Sequence, residues 1–403
     1  MNIGIAILGL ALLVLVHEAG HFFTGLAVGI RPRKFYVGFP PALVKVSHRG
    51  IEYGLGAIPL GGYVKIPGMH RPAPGDVDVH FAPARAERPE LTHPVERLKR
   101  ALAEGDMRAG REELPGLGDL IRLAKLSPGA RRAADRGLRD LGDALGFDAY
   151  WRQPTWKRLA VIAAGPVTNV VFAVVLFAAL FLTSSGGFRL GFALSNDSNA
   201  PVVAEVAAGE PAVQMDLRVG DRIVRVGGTM VDDYADVPPL IEASKGAPIT
   251  LTVVRNGRRV ILGPEAAREV ERLSLADATW RSVRLTGRVT EEIGRSLGRL
   301  VKGEGREEIS SPVGIVRGSS SALDESRERY LWVLGLISLS LALLNLLPLL
   351  PLDGGHITFS IVEGIRGRAV GREVYERVSA VGIALVLLLF FVGLSNDIGR
   401  LDD

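Results

Sequence analysis

His17-Glu18-Ala19-Gly20-His21 places two imidazoles four residues apart with a carboxylate between them. On a helix, positions i and i+4 share a face, so both rings can grip one Zn²⁺ while Glu18 stands beside it as general base. A catalytic zinc needs a third protein ligand and an open fourth position. Two candidates lie far downstream, in Asn345-Leu-Leu-Pro348-Leu-Leu-Pro351-Leu-Asp353-Gly-Gly-His356: the Asp353 carboxylate and the His356 imidazole. The prolines break a helix there, and Gly354-Gly355 permits sharp backbone geometry, so the carboxylate can be turned toward another helix. Two neutral imidazoles and one carboxylate leave net positive charge on the metal, which lowers the pKa of bound water toward roughly 7. Glu18 would then take the water's proton as it attacks a peptide carbonyl and pass it to the leaving nitrogen.

The elements that carry these residues are apolar. Ile3 to Val16 is uncharged, and the chain of 403 residues is 47% hydrophobic although 23% of it is charged. The apolar residues are concentrated in candidate spans at Asn2–Val28, Leu159–Thr183, Tyr330–Leu352 and Val378–Leu394, each near the roughly 20 residues needed to cross hydrocarbon. Ionisable residues at membrane depth are costly and point to function, here hydrolysis inside a bilayer. The first span has no basic n-region and no small-residue cleavage site, so it reads as a retained helix. Without cysteine there is no disulfide framework.

Orientation follows from Lys and Arg. Arg31, Arg33, Lys34, Lys45, Arg49 and Lys65 follow the first span, Arg152, Lys157 and Arg158 precede the second, and Arg366, Arg368, Arg372 and Arg377 separate the last two. Residues 29–158 and 353–377 are therefore expected in the cytosol, with an external domain between the second and third spans. The pI of about 9.4 is explained by this topology, and no aromatic-interleaved basic motif argues for nucleic acid.

Between the spans the pattern changes. Residues 33–65 read as extended segments, with Leu43–Val46 and Glu52–Leu55 pairing around His48-Arg49-Gly50. Gly54–Lys65 is apolar but too short and too rich in Gly and Pro to span, which suggests a re-entrant β-hairpin beside the histidines. Residues 67–155 read as a charged, solvated insertion with little core and weak helices near Val95–Glu104 and Leu117–Leu145. His70, His80 and His93 within it fit no zinc template and read as surface residues. Residues 199–264 alternate as a small β-rich module, and residues 283–305 suit an amphipathic helix near the outer membrane surface.

The module's strand order, with Leu217-x-x-Gly220-Asp221 as its most diagnostic piece, resembles a PDZ domain. Such domains bind an extended peptide on a sheet edge, often at a free carboxylate, which would involve Leu217, Gly220 and Asp221. The whole chain resembles the site-2 protease family of intramembrane zinc metalloproteases, especially the bacterial regulator-of-sigma-E protease type (peptidase family M50). The resemblance rests on His17–His21, Ile58-Pro-Leu-Gly-Gly-Tyr-Val-Lys65, Ala164-Gly-Pro-Val-Thr-Asn169, Ser311-Pro-Val-Gly-Ile315 and Asn345–His356, in family order. It implies Zn²⁺ held by His17, His21 and Asp353, Glu18 as the catalytic base, and His356 outside the ligand set. It also implies that Asn345 handles substrate and that Gly61, Gly62 and Tyr63 present substrate as an added strand.

The expected architecture is a multi-span α-helical membrane protein of about four transmembrane helices, with a re-entrant β-hairpin and one inserted PDZ-like domain. Its segments are 1–66 (first helix and hairpin), 67–155 (cytosolic insertion), 156–185 (second helix), 199–264 (PDZ-like), 283–305 (amphipathic helix) and 330–403 (last two helices). Residence in a bacterial inner membrane is expected, with the PDZ-like domain outside. The expected partners are the lipid bilayer, single-span membrane proteins as substrates, and a trimmed terminus at the PDZ-like domain. The rival readings are a non-catalytic membrane PDZ scaffold, against which the retained Glu18 counts, and a metal transporter, against which the lack of an inverted repeat counts.

Overall fold

A computed structural model of the chain describes residues 2–184, 187–195, 200–270 and 272–402. Residues 1, 185, 199 and 403, which fall on expected segment boundaries, lie outside the described residues. Helix α1 (Asn2–Val28) is followed by strands β1 (Lys34–His48) and β2 (Ile51–Lys65). Next come α2 (Pro74–Glu87), α3 (Thr92–Ala103), α4 (Met107–Leu123), α5 (Pro128–Leu145) and the long helix α6 (Thr155–Ser184). A β-rich stretch holds β3 (Gly187–Arg189), β4 (Phe192–Leu194), β5 (Val203–Val206), α7 (Pro211–Gln214), β6 (Arg222–Val226) and β7 (Thr229–Met230). It ends with α8 (Val237–Ala243), β8 (Pro248–Arg255), β9 (Arg258–Ala266) and β10 (Arg268–Val270). The remaining helices are α9 (Leu275–Val301), α10 (Pro312–Glu325), α11 (Arg327–Asn345), α12 (Asp353–Arg366) and α13 (Arg372–Asp402). Two compact units result, residues 1–176 with 285–403, and residues 177–284.

Among the described residues, three helices are long and apolar enough to cross a membrane: Asn2–Val28, Thr155–Thr183 and Glu373–Gly399. The stretch expected as a further span, Tyr330–Leu352, is not one continuous helix. α11 stops at Asn345, because Pro348 and Pro351 cannot donate backbone hydrogen bonds, and helix resumes only at Asp353. The reversal is tight: a Cβ on Gly355 would lie 2.7 Å from the Leu349 carbonyl carbon. α11 is tied to its neighbours by polar contacts, Tyr330 OH donating to the Ile5 carbonyl (3.1 Å) and Ser338 Oγ to the Asn169 carbonyl (2.9 Å). The amphipathic helix occupies Leu275–Val301, so it starts earlier and ends earlier than 283–305.

β1 and β2 form more than a hairpin. Val44↔Leu55, Lys45↔Gly54 and Val46↔Tyr53 pair around the turn at Arg49-Gly50, where both residues have positive φ (50° and 79°). Residues 34–37, however, are paired twice, to 52–55 and to 62–65. They therefore lie between those two segments, which leaves 62–65 with no strand on its other edge among the described residues. An open edge of this kind can accept one more strand.

The insertion is not a solvated segment with little core. Helices α2 to α5 enclose Val77, Phe81, Leu91, Val95, Leu98, Leu117, Ile121, Leu141 and Leu145 in one apolar cluster. The helices are capped by Asp106, whose carboxylate accepts from Arg108 N and Ala109 N, and by Ser127, which accepts from Ala130 N. Acidic residues at the end of this domain grip the start and end of the sheet: Arg33 reaches Asp143 (2.7 Å) and Asp148 (2.8 Å), and Lys65 reaches Asp140 (2.9 Å) and Asp143 (3.1 Å).

In the second unit, β7-β6-β8-β9 form one sheet, while β4 pairs β5 and β10 pairs β3. Its core gathers Leu190, Val203, Leu217, Ile223, Leu251, Val253 and Leu262. Asp221 is buried at 1% exposure and takes a bidentate contact from Arg255 (2.8 and 2.7 Å) plus the Arg218 backbone N–H (2.9 Å). Burial alone would push this carboxyl up; the Arg255 guanidinium and the Arg218 amide outweigh it and hold it below the ordinary carboxylate value.

Replacing Phe81 with alanine should cost about 3–5 kcal/mol locally, and limited proteolysis of the full chain should then cut within 74–145, which wild type resists. For Asp221, whose folded pKa is depressed, the stabilisation is complete above the ordinary carboxylate pKa of about 3.9 and disappears as pH falls through the folded value. Amide exchange across β5–β8 should report that acid limb, and Asp221→Asn should abolish it while lowering protection at neutral pH.

Candidate metal centre

α1 brings His17 and His21 to one face, with ring centroids 4.8 Å apart and nearly perpendicular planes. A carbonyl can only accept, so the 2.8 Å contact between His21 Nδ1 and the Val161 carbonyl puts the proton on Nδ1. Nε2 of His21 is left with its lone pair facing inward. It stands 3.2 Å from His17 Nε2 and 3.3 Å from Asp353 Oδ2, and the third side, His17 Nε2 to Asp353 Oδ2, is 3.2 Å.

This triangle can be tested against zinc. Donors about 2.0–2.1 Å from one tetrahedral centre must lie about 3.3–3.4 Å from each other, close to what is found. Asp353 Oδ2 is buried without a hydrogen-bond donor among the described residues. Converging lone pairs repel unless a cation lies between them. The residues present fit a divalent metal, and His17, His21 and Asp353 form the single candidate ligand group among the described residues.

The surroundings are built to leave room. Gly165 in α6 faces both rings: a Cβ there would fall on His21 and lie 2.8 Å from His17 Cε1. Gly20 is similarly required, since a Cβ would run into the Ala164 carbonyl, its carbon only 2.9 Å away. Asp353 is the first residue of α12. That helix is pinned by a buried polar cluster: Arg158 pairs with Glu363 and donates to Ser360 Oγ (3.1 Å), which also bonds Tyr150 OH (3.0 Å).

A cavity of 430 Å³ joins His17, Glu18, His21, Tyr63, Asn345, Asp353 and His356, so most of the residues singled out from sequence share one space. The Val64 backbone N–H meets the Glu18 carboxylate. A Cβ on Gly62 would lie 3.2 Å from Glu18 Cγ, so this glycine lets the strand approach Glu18. Gly61, with φ of 140°, is not among the cavity-lining residues. His356 lines the cavity but stands outside the ligand triangle. His70, expected as a surface residue, is exposed, and its ring also packs against Tyr375 (4.6 Å between ring centroids) and lies 6.5 Å from the His356 ring. Gly165 and the Val161 carbonyl were missed as site elements; the Ala164-Gly-Pro run carried the signal for the former, and nothing local marks the latter.

Leu217, Gly220 and Asp221, expected to bind a peptide, do not line the 830 Å³ cavity of the second unit. Leu217 is 4% exposed in the core, Gly220 occupies a turn with φ of 89°, and Asp221 is the buried partner of Arg255. That cavity lies between residues 188–194 and 234–242, partly outside the expected 199–264 boundary. The two ends of this turn, Leu217 and Asp221, are buried, while Val219 between them is 66% exposed.

A family-wide sequence profile described as "Peptidase family M50" matches residues 5–389, and the chain belongs to that family. It is 29% identical over 424 residues to a provisionally named zinc metalloprotease of Agrobacterium fabrum, covering 98% of this chain and 95% of that protein. It is 29% identical over 418 residues to a similarly named protein of Mesorhizobium japonicum, covering 96% of each. It is also 26% identical to the regulator of sigma-W protease RasP of Bacillus subtilis, again covering 96% of each. The protein is accordingly an integral-membrane zinc metalloendopeptidase of the site-2 protease type.

Gly165→Ala should lower zinc affinity about 10- to 100-fold, by analogy with loss of groups that orient metal ligands. Zinc titration with a fluorescent chelator would measure it, and full affinity in that variant would show that the rings can yield.

Proposed function

We propose that the protein cuts single-span membrane proteins already shortened by another protease, with His17, His21 and Asp353 holding zinc and Glu18 moving the proton. The single observation that carries this reading is the free edge of residues 62–65 beside Glu18 and the ligand triangle. Zinc, when bound, polarises a carbonyl and lowers the pKa of water. Glu18 accepts a proton at its carboxylate and returns it to the leaving nitrogen. A transmembrane helix has its peptide bonds satisfied internally, so the segment to be cut must first unwind, and exposed backbone groups in a bilayer are costly. Gly61, Gly62 and Tyr63 supply an edge on which that backbone finds replacement hydrogen bonds. Asn345, across the same cavity, offers both a donor and an acceptor to substrate.

The second unit fits selection of a trimmed end by a PDZ-like groove. The carbonyls of Leu190 and Gly191 accept from Ala212 N (2.8 Å) and Ala207 N (2.9 Å). In a trans peptide the N–H points opposite to the C=O, so the Gly191 and Phe192 amides face away from those partners, and all three residues line the groove. Two adjacent amides there suit a terminal carboxylate. Four spans in a bacterial inner membrane, the insertion at 67–155 in the cytosol and this groove outside complete the reading. The substrates would be membrane-bound anti-sigma factors, in line with RasP's name, or remnant signal peptides.

The test compares membrane fragments accumulating in cells carrying Glu18→Gln with those in wild type, alongside zinc content of both purified proteins. Glu18→Gln should keep a full equivalent of zinc, lose about 10²- to 10⁴-fold in cleavage rate and accumulate truncated single-span proteins. Undiminished cleavage would remove Glu18 from the reaction; unchanged fragment pools would favour a scaffold.

A further inference from the structure

We propose that a cavity at the water-facing start of α6 is a phosphate site that holds the headgroup of an anionic phospholipid. The cavity, 470 Å³, is lined by Arg71, Trp151, Thr155, Arg158, Glu363 and Arg368 among others. Its charge balance is one-sided. Glu363 is fully committed, one oxygen to Arg158 and the other to the Val370 backbone N–H (2.8 Å). Arg71 and Arg368 have no carboxylate partner among the described residues, and Arg71 instead lies over Trp151 at 5.6 Å from the ring. Two guanidinium groups without carboxylate partners among the described residues around one cavity call for an anion with several acceptor oxygens, and phosphate matches the guanidinium fork.

Location selects lipid as the source. Thr155 opens the Thr155–Thr183 span, so the cavity lies at the depth where that helix passes from water into hydrocarbon, the depth of lipid phosphates. Trp156 beside it is 61% exposed, as an interfacial anchor would be. α12, whose Glu363 and Gly364 line the cavity, turns Ile361, Val362 and Ile365 outward, the last 82% exposed, which gives acyl chains an apolar surface next to the headgroup. A lipid held here would brace the α12 end opposite Asp353, and would therefore steady the third ligand.

The full-length protein, stripped of lipid in mild detergent, is titrated with dioleoyl phosphatidylglycerol, with dioleoyl phosphatidylcholine and with inorganic phosphate, and bound molecules are counted by native mass spectrometry. Phosphatidylglycerol should saturate one site at least about tenfold more tightly than phosphatidylcholine. Arg71→Gln combined with Arg368→Gln should weaken that site about tenfold or more, while Arg132→Gln with Arg136→Gln, an equal charge change on α5, should leave it intact. Arg71→Lys with Arg368→Lys should fall between, and thermal unfolding without lipid checks that each variant is folded. Equal binding of both lipids, or equal loss in the α5 control, would overturn the site. Inorganic phosphate binding as well as phosphatidylglycerol would overturn the lipid as its source.

Discussion

Three lone-pair-bearing atoms, His17 Nε2, His21 Nε2 and Asp353 Oδ2, meet within 3.3 Å of one another among apolar helices. Without a cation such convergence is unfavourable in a low-dielectric setting, so the surrounding chain has to impose it. α1 supplies two atoms at fixed spacing. The Val161 carbonyl settles which nitrogen of His21 faces inward, and Gly165 clears the volume both rings occupy. The third atom comes from the first residue of α12, directly after the break at Pro348 and Pro351. The buried Arg158–Glu363–Ser360–Tyr150 cluster then holds α12, at a desolvation cost that its mutual hydrogen bonds offset.

A second constraint is set by the substrate's backbone. On the proposed reading a segment unwound in the bilayer would exchange its own hydrogen bonds for others on residues 62–65, where the Val64 N–H reaches the Glu18 carboxylate. An edge strand is useful only if it is held still. Residues 34–37 pair it on one side, and Lys65 at its end is gripped by Asp140 and Asp143 of α5. The insertion thus reaches the site: α5, packed into its apolar core, carries the acidic partners of Lys65 at the strand's end.

Much of the centre was legible in the sequence because its signals are local. His17, Glu18 and His21 are fixed relative to each other by helical spacing, and the prolines before Asp353 announce a break. The insertion's core was not legible, since Val77, Phe81, Leu98 and Leu141 come one or two at a time from separate Arg- and Ala-rich helices and make an apolar cluster only when these pack together. The groove of the second unit was hidden for a related reason. Strands of three residues, Gly187–Arg189 and Phe192–Leu194, carry no readable alternation, while the conspicuous Leu217-x-x-Gly220-Asp221 turn places Leu217 in the core and Asp221 against Arg255.

The amino-acid sequence by itself determined the kind of donor atoms, their helical spacing in α1, the apolar character of the helices and the place where the chain must bend before Asp353. These depend on neighbouring residues, and short-range sterics and hydrophobicity suffice to specify them. Tertiary structure alone decided that the α12 carboxylate actually meets both α1 imidazoles, that Gly165 and the Val161 carbonyl shape that meeting point, and that residues 62–65 keep one edge unpaired, among the described residues, beside Glu18. Each of these relations joins segments far apart along the chain, and such distances are set by packing of whole elements, which no local pattern encodes.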